Sequence, residues 1–297
     1  MKILVTGANG LVGSKFVDDC SNKYELLTPA YPEFDLTNPT LVMEYLSKNN
    51  PEVVIHFAAY TNVGEAEKQK RNEFGDCWKI NVMGTKNLVE NIDATITRYI
   101  HISTDMVFSG SSDNPGPYSE TQVPNESSQK LTWYGYTKKL AEKIAKDKFG
   151  NKVTILRLIY PVRAKYDAKL DYLRKPLSLF DEGKLYPLFT DQQISIAFID
   201  EISTALQKII DGKFFGIFHA SCPNTTTPYD LISYFIEKTR GVTGVAKKAS
   251  LDEFLKTVDS PVRYPKYGGL KVSQTEKVLG IKYSTWREIV DQIASQM

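Results

Sequence analysis

Tyr134 and Lys138 stand four residues apart in a stretch of helical pattern, which brings a phenol and an ammonium onto one face, a single turn from each other. A free phenol titrates near pH ~10. A neighbouring cation, reinforced by the positive ring of an oxidised nicotinamide, favours the phenolate and lowers that value, so the tyrosine can exchange a proton with a hydroxyl or carbonyl near neutrality. On an unrelated helix the same pair is only a solvated face. The residues ahead of the pair bear on that choice. Gly7, Gly10 and Gly13 follow the apolar run Ile3-Leu4-Val5 and lead into a helical repeat of Val12, Phe16, Val17 and Cys20. In that strand, turn and helix setting the glycines supply a bend, a close approach of main chain to a pyrophosphate, and tight packing of helix on strand. The helix start adds unpaired N–H groups and a positive dipole end. A glycine turn in an α/β protein of another kind is the alternative. Thr104 falls at the end of a further strand, at the carboxyl edge of the sheet where ligands of such folds collect. Its hydroxyl either bonds the oxygen that Tyr134 protonates or satisfies a local turn.

The elements that must position these groups are legible as patterns. Strands are expected over 24–28, 53–59, 98–104 and 153–158, and helices from about Pro39, over 78–92 and over 134–149. Strands alternating with helices imply an α/β fold with a doubly wound parallel sheet. The second strand runs into Thr28-Pro29-Ala30-Tyr31, with neither the acid that grips an NAD ribose nor an Arg that secures NADP. Residues 61–76 read as a helix or lid. Residues 109–129, dense in Ser, Pro, Gly, Asn and Asp, read as an exposed loop, of a length more often functional than idle. Beyond Tyr160 the regularity falls. A dinucleotide-binding domain is placed at 1–160 and a smaller, mainly substrate-binding region at 161–297, with helices at 200–210 and 229–238 and with 214–220 as a strand returning to the sheet. His56 and His101 lie inside apolar strands and are read as packed side chains.

Composition narrows the class. With 297 residues, 42% of them hydrophobic and 24% charged, the chain can bury a sizeable core. A formal net charge of +2 without a long basic run points away from nucleic acid and membrane surfaces as partners. Cys20, Cys77 and Cys222 are odd in number and lack zinc-type spacing, so reduced thiols, no metal and a cytoplasmic location are expected. No secretory or membrane-spanning pattern precedes the first strand.

Gly7-x-x-Gly10-x-x-Gly13, Ser103-Thr104-Asp105 and Tyr134-x-x-x-Lys138 together resemble the extended short-chain dehydrogenase/reductase superfamily, most closely its dTDP-4-dehydrorhamnose reductase branch. Further matches to that branch are Ala58-Ala59-Tyr60-Thr61, Val107-Phe108, Pro117-Tyr118-Ser119-Glu120, Asp191-Gln192 and Gly216-Ile217-Phe218-His219. The resemblance implies a Rossmann fold and, as activity, hydride transfer from NADPH or NADH, NADPH slightly favoured, to the C4 ketone of a nucleoside-diphosphate 4-keto-6-deoxy sugar. Tyr134 would protonate the alkoxide, Lys138 would hold the nicotinamide ribose, and Thr104 would orient the carbonyl. Cofactor contacts are implied at Gly7, Asn9, Gly10, Leu11, Val12, Gly13, Asp35, Leu36, Ala58, Ala59, Tyr60, Thr61 and Asn81. Sugar contacts are implied at Asp105, Val107, Phe108 and Tyr160, with Arg263 a candidate for the diphosphate, which a guanidinium grips with two bonds. A homodimer is left open.

Departures from the branch gather on the substrate side. Met106 stands where it has Tyr, Tyr160 where it has Trp, and Ser195-Ile196-Ala197 where Ser-Pro-Thr is usual; Gly64 replaces an Asp. The sugar is therefore less determined than the reaction. A dehydratase of the superfamily would carry Glu at the position of Met106, and an epimerase would lack Asp105 and Phe108. A third alternative is a non-catalytic nucleotide-binding protein resembling the regulatory subunit of methionine adenosyltransferase.

Overall fold

The computed structural model describes residues 1–124, 127–258 and 264–297. They form two compact units. The first comprises Met1–Phe108, Val123–Arg157 and Leu206–Phe218, the second Ser109–Gln122, Leu158–Ala205 and His219–Met297. The candidate Arg263 lies outside the described residues.

The first unit is built on β1 (Lys2–Thr6), α1 (Gly13–Cys20), β2 (Glu25–Leu27), α2 (Pro39–Asn49), β3 (Val53–His56), α3 (Val63–Lys68), α4 (Asp76–Trp78), a π-helical turn (Lys79–Gly84), α5 (Thr85–Glu90), β4 (Arg98–Thr104), α6 (Trp133–Phe149) and β5 (Thr154–Leu158). Further on come β6 (Pro161–Val162), α7 (Arg174–Asp181), β7 (Leu188–Phe189), β8 (Ala197–Phe198), α8 (Ile199–Asp211) and β9 (Gly216–Ala220). The sheet order is β2-β1-β3-β4-β5-β9, with β1 parallel to both β2 and β3, and β3 parallel to β4. The chain moves outward from β1 to β2 and then crosses back to β3, so the order reverses at the carboxyl ends of β1 and β3. Such a reversal is where doubly wound sheets hold their ligands.

All of β3 and β5 is buried, as strands covered on both faces must be. On one face Leu4, Val54, Tyr99 and Ile155 meet Leu88, Val89, Ala145 and Phe149 from α5 and α6, the larger aliphatic side chains and Phe149 each worth ~1.5–3 kcal/mol when fully buried. The register sets Thr6 beside His56 and His56 beside His101, one polar row across three strands. Local signals bound α2 at both ends. Asn38 caps α2, accepting from Thr40 and Leu41 ahead of Pro39, and Asn50 closes it in the left-handed region. The expected helix over 78–92 is broken by the π turn, and the strand expected over 53–59 ends at His56.

In the second unit, α9 (Pro228–Arg240) and α10 (Trp286–Ser295) pack Leu231, Phe235, Ile289 and Val290 with Leu177 of α7. The strand expected over 214–220 does return to the main sheet, as β9 at its edge. The exposed loop expected over 109–129 is only partly that. Tyr118 and Glu120 are buried, the Tyr118 amide donates to Gly269 O (2.9 Å), and Glu120 accepts from both the amide and hydroxyl of Thr275 (2.9 Å each). The segment reads as polar because its polar groups are matched by residues far along the chain. No helix among the described residues is long and apolar enough to cross a membrane.

Candidate active site

The glycine turn shows why its residues have no side chains. Gly7 has φ +69°, and a Cβ there would lie 2.7 Å from the Ala58 nitrogen, where the chain leaves β3. A Cβ on Gly13 would run into the Gly7 carbonyl, so α1 can start against β1 only with glycine there. The Gly10 amide donates to Gly7 O (2.9 Å), which folds the turn. A Cβ on Gly10 would meet only that carbonyl, at 3.1 Å, so space is left above the turn. Gly7 to Gly13, with Asn9, Leu11 and Val12 between them, therefore fit the pyrophosphate of a dinucleotide. Asp35 folds its own turn by accepting from the amide and hydroxyl of Thr37 (2.8 Å each), and Leu36 O takes the Asn87 amide (2.9 Å).

Ala58, Ala59, Tyr60 and Thr61 follow β3, and Asn81 of the π turn holds this segment. Its Oδ1 accepts from the Tyr60 amide (2.8 Å), and its Nδ2 donates to Tyr60 O (3.2 Å) and to Thr137 Oγ1 (3.0 Å). Thr137 in turn donates to Tyr134 O (2.8 Å), so one asparagine joins the segment after β3 to the helix of the tyrosine. A π turn, with its widened ladder, is often found at functional sites. Beneath it His56 has a determined protonation. Its Nε2 donates to Thr85 Oγ1 (3.1 Å), which donates to Asn81 O (2.7 Å). Its Nδ1 accepts from Thr6 Oγ1 (2.7 Å), itself an acceptor for the Ala58 amide (3.2 Å). Burial, then the charge of Lys138, holds this imidazole down at about 3, so it braces the site as a neutral, packed side chain.

Tyr134 is brought to Thr104 by the start of α6. Thr132 caps that helix through the Gly135 amide (2.9 Å), and a Cβ on Gly135 would strike the carbonyl of Met106, so the first turn packs directly on the short 3-10 turn Asp105–Val107. The Tyr134 phenol lies near enough to the Thr104 hydroxyl for that hydroxyl to act on its proton. Thr104 Oγ1 also accepts from the Met106 amide (3.2 Å) and donates to Asp105 Oδ1 (3.1 Å). While Asp105 is ionised, the single proton of Thr104 is directed to it.

The charges differ from those expected from sequence. Burial, then the charge of Asp105, pushes the Tyr134 phenol well above its usual value, opposed by the nearby Thr104 hydroxyl. The expected lowering by Lys138 is absent from the protein alone, because the Lys138 ammonium is directed elsewhere: it donates to Ile102 O (2.7 Å) and to His101 Nε2 (3.1 Å). Burial brings Lys138 down to about 8, against the attraction of Glu142. Burial raises the Asp105 carboxyl to about 7, although Thr104 and main-chain N–H groups favour its charge. Glu142 is as deeply buried, yet the bidentate Arg157 (2.8 Å on each oxygen) outweighs burial and holds it below the usual range, with Ser103 Oγ adding a bond of 2.7 Å.

Thr104, Asp105, Tyr134 and Lys138, together with the glycine turn and Asn81, thus belong to one unit. Val107 and Phe108 are in it too, both buried, with the Arg157 guanidinium 5.0 Å from the Phe108 ring centre. Tyr160 belongs to the second unit, at φ +35° and against the ring of Tyr172, centres 4.2 Å apart. Positive φ at a bulky residue is strained and collects at functional sites. Sequence reasoning missed His101, Glu142, Arg157 and Thr137. For His101 and Arg157 the available signal was a polar residue within an apolar strand, which demands a partner without naming it.

A parallel sheet with a glycine turn at its order reversal, and a Tyr-x-x-x-Lys helix meeting a strand-end threonine, defines the class: an NAD(P)-dependent oxidoreductase of the extended short-chain dehydrogenase/reductase type. Within that class the chain belongs to the family described as "RmlD substrate binding domain", whose model matches residues 1–297. It is 28% identical to a probable low-salt glycan biosynthesis reductase, Agl14, of Haloferax volcanii, covering 96% of this chain and 94% of the relative. It is 27% identical to a dTDP-4-dehydrorhamnose reductase of Aggregatibacter actinomycetemcomitans, covering 98% of each. The crystal structure of a dTDP-4-dehydrorhamnose reductase of Clostridium acetobutylicum superposes with a TM-score of 0.85 at 26% identity, over 100% of both chains.

Proposed function

We propose that the protein reduces the C4 ketone of a nucleoside-diphosphate 4-keto-6-deoxy sugar with NADPH or NADH. The observation that carries this reading is the packing of the start of α6 on the turn after β4, which brings Tyr134 to Thr104, with Lys138 one helical turn along, in the unit that holds the glycine turn. Full-length likeness to reductases of such sugars supports the substrate class.

A bound nicotinamide would supply the hydride. The chain would hold it along Gly7 to Gly13, Asp35-Leu36, Ala58 to Thr61 and Asn81, with Lys138 on the ribose. The Tyr134 hydroxyl would donate to the ketone oxygen, joined by Thr104 when Asp105 is protonated and the threonine proton is free to turn, which fixes the direction of the ketone and stabilises the charge that grows there. Tyr134 then gives its proton to the C4 alkoxide. A phenol whose pKa is raised by burial is fully protonated at neutral pH, the state a proton donor needs. Asp105, Val107 and Phe108 are proposed to face the sugar nucleotide. Met106 offers no carboxylate, so the elimination a dehydratase performs has no base at that position. The complete Thr, Tyr and Lys set favours catalysis over a purely binding role.

The test is a panel of nucleoside-diphosphate 4-keto-6-deoxy sugars, followed by loss of reduced-cofactor absorbance, with wild type and Tyr134→Phe. Turnover at least ~100-fold slower in the variant, with cofactor binding retained, is expected for loss of a general acid. Equal turnover refutes the role of Tyr134, and no turnover on any member of the panel refutes the substrate class.

A further inference from the structure

His101 is entirely buried, and the ammonium of Lys138 lies 3.1 Å from its Nε2. An ammonium has three N–H donors and no acceptor, so Nε2 must be the unprotonated nitrogen of a neutral ring. The ring proton is then on Nδ1, which donates to the Tyr99 hydroxyl at 3.0 Å. Tyr99 is fixed in turn, its ring flat on Phe149 at 5.1 Å and 3°. A second N–H of Lys138 goes to Ile102 O at 2.7 Å, which leaves the third for the site.

We infer that His101 is a positioning residue for Lys138: as a neutral acceptor it fixes the direction of the ammonium and stabilises its charge, and Tyr99 holds the imidazole in the tautomer able to do so. The inference rests on the assignment of Lys138 to the cofactor. The titratable groups around the imidazole are Tyr99 on its own strand, His56 on β3 with ring centres 5.5 Å apart, and Lys138 and Lys146 on α6. Facing Lys138 from other directions are Cys77 and Glu142. Burial first, and then Lys138, His56 and Lys146, hold His101 well below its ordinary value, so the ring stays neutral on the acid side. The group that titrates in the working range is Lys138 itself, and removing its acceptor makes it lose its proton at lower pH.

Reduced-nicotinamide fluorescence measures cofactor affinity from pH 6 to 9.5 without any sugar, so a wrong substrate class leaves this test intact. In wild type the affinity is expected to fall on the alkaline side as Lys138 deprotonates. His101→Leu should weaken binding about tenfold at pH 7 and move that alkaline limb down by about one pH unit, the effect of losing a hydrogen bond to a charged group. His101→Gln, which returns an acceptor oxygen near the place of Nε2, should recover binding to within about threefold of wild type. Tyr99→Phe keeps the ring packing and frees the tautomer, and should move the limb in the same direction by less. Circular dichroism checks the fold, and if His101→Leu does not fold, Tyr99→Phe and His101→Gln decide. An unmoved limb in the folded variants, or His101→Gln behaving as His101→Leu, overturns the inference. Lys138→Met should abolish the limb altogether; a limb that survives in it removes Lys138 from the cofactor site, and the inference falls with that assignment.

Discussion

Asp105→Asn offers a quantitative check on the electrostatics beside Tyr134. In the folded protein burial lifts this carboxyl from 3.8 to about 7. Between roughly pH 4 and pH 7 the folded state therefore keeps a proton that the unfolded chain has released, and wherever the folded state binds more protons, stability falls as pH rises. Each pKa unit is worth about 1.4 kcal/mol, so the penalty grows across that window to roughly 4 kcal/mol and is complete above it. Asparagine has the same shape, still accepts from Thr104 and the main chain through Oδ1, and does not titrate. Urea unfolding of both proteins from pH 4.5 to 8, followed by tryptophan fluorescence, should show the variant gaining on wild type by about 1 kcal/mol per pH unit up to neutrality and by little beyond. Whatever constant offset the substitution brings cancels from that slope. A difference that stays level with pH, or that favours wild type as pH rises, would show that Asp105 ionises freely in the folded protein and that its environment is not the dry one described above.

Breaking the buried Glu142–Arg157 pair should be costly. Glu142→Gln leaves a guanidinium at 0% exposure without its counter-charge, and a loss of about 3–5 kcal/mol is expected by denaturant titration; a loss under 1 kcal/mol contradicts the burial. Gly7→Ala would force a side chain onto the Ala58 backbone at positive φ, so cofactor affinity should drop by an order of magnitude or more, measured by fluorescence quenching. Tyr134→Phe should lose turnover and keep cofactor affinity, whereas the His101 and Tyr99 variants should change affinity and its pH dependence together.

Much of this site could be read before any coordinates, because its motifs are local. The strand, glycine turn and helix at the N-terminus, the strand Arg98–Thr104 and the helix carrying Tyr134 and Lys138 each announce themselves within some twenty residues, through apolar periodicity and residues that only a given turn tolerates. The sugar-side expectations were less local: Tyr160 sits at a strained φ in a different unit from Tyr134, and Arg263 lies outside the described residues.

Sequence alone settled the parallel α/β class and named Thr104, Tyr134 and Lys138 as candidates for chemistry. Contact between Thr104 and Tyr134, thirty positions apart, came from the packing of α6 on the turn after β4. Periodicity put His101 on a buried face, but only the fold could bring an ammonium from another element against its Nε2. The Tyr134 phenol was expected to be lowered by a cation one turn away, and burial raises it instead. Spacing along a chain sets direction and reach. Register, burial and the sign of a pKa shift depend on what distant segments place around a group, and those are fixed only when the chain has closed on itself.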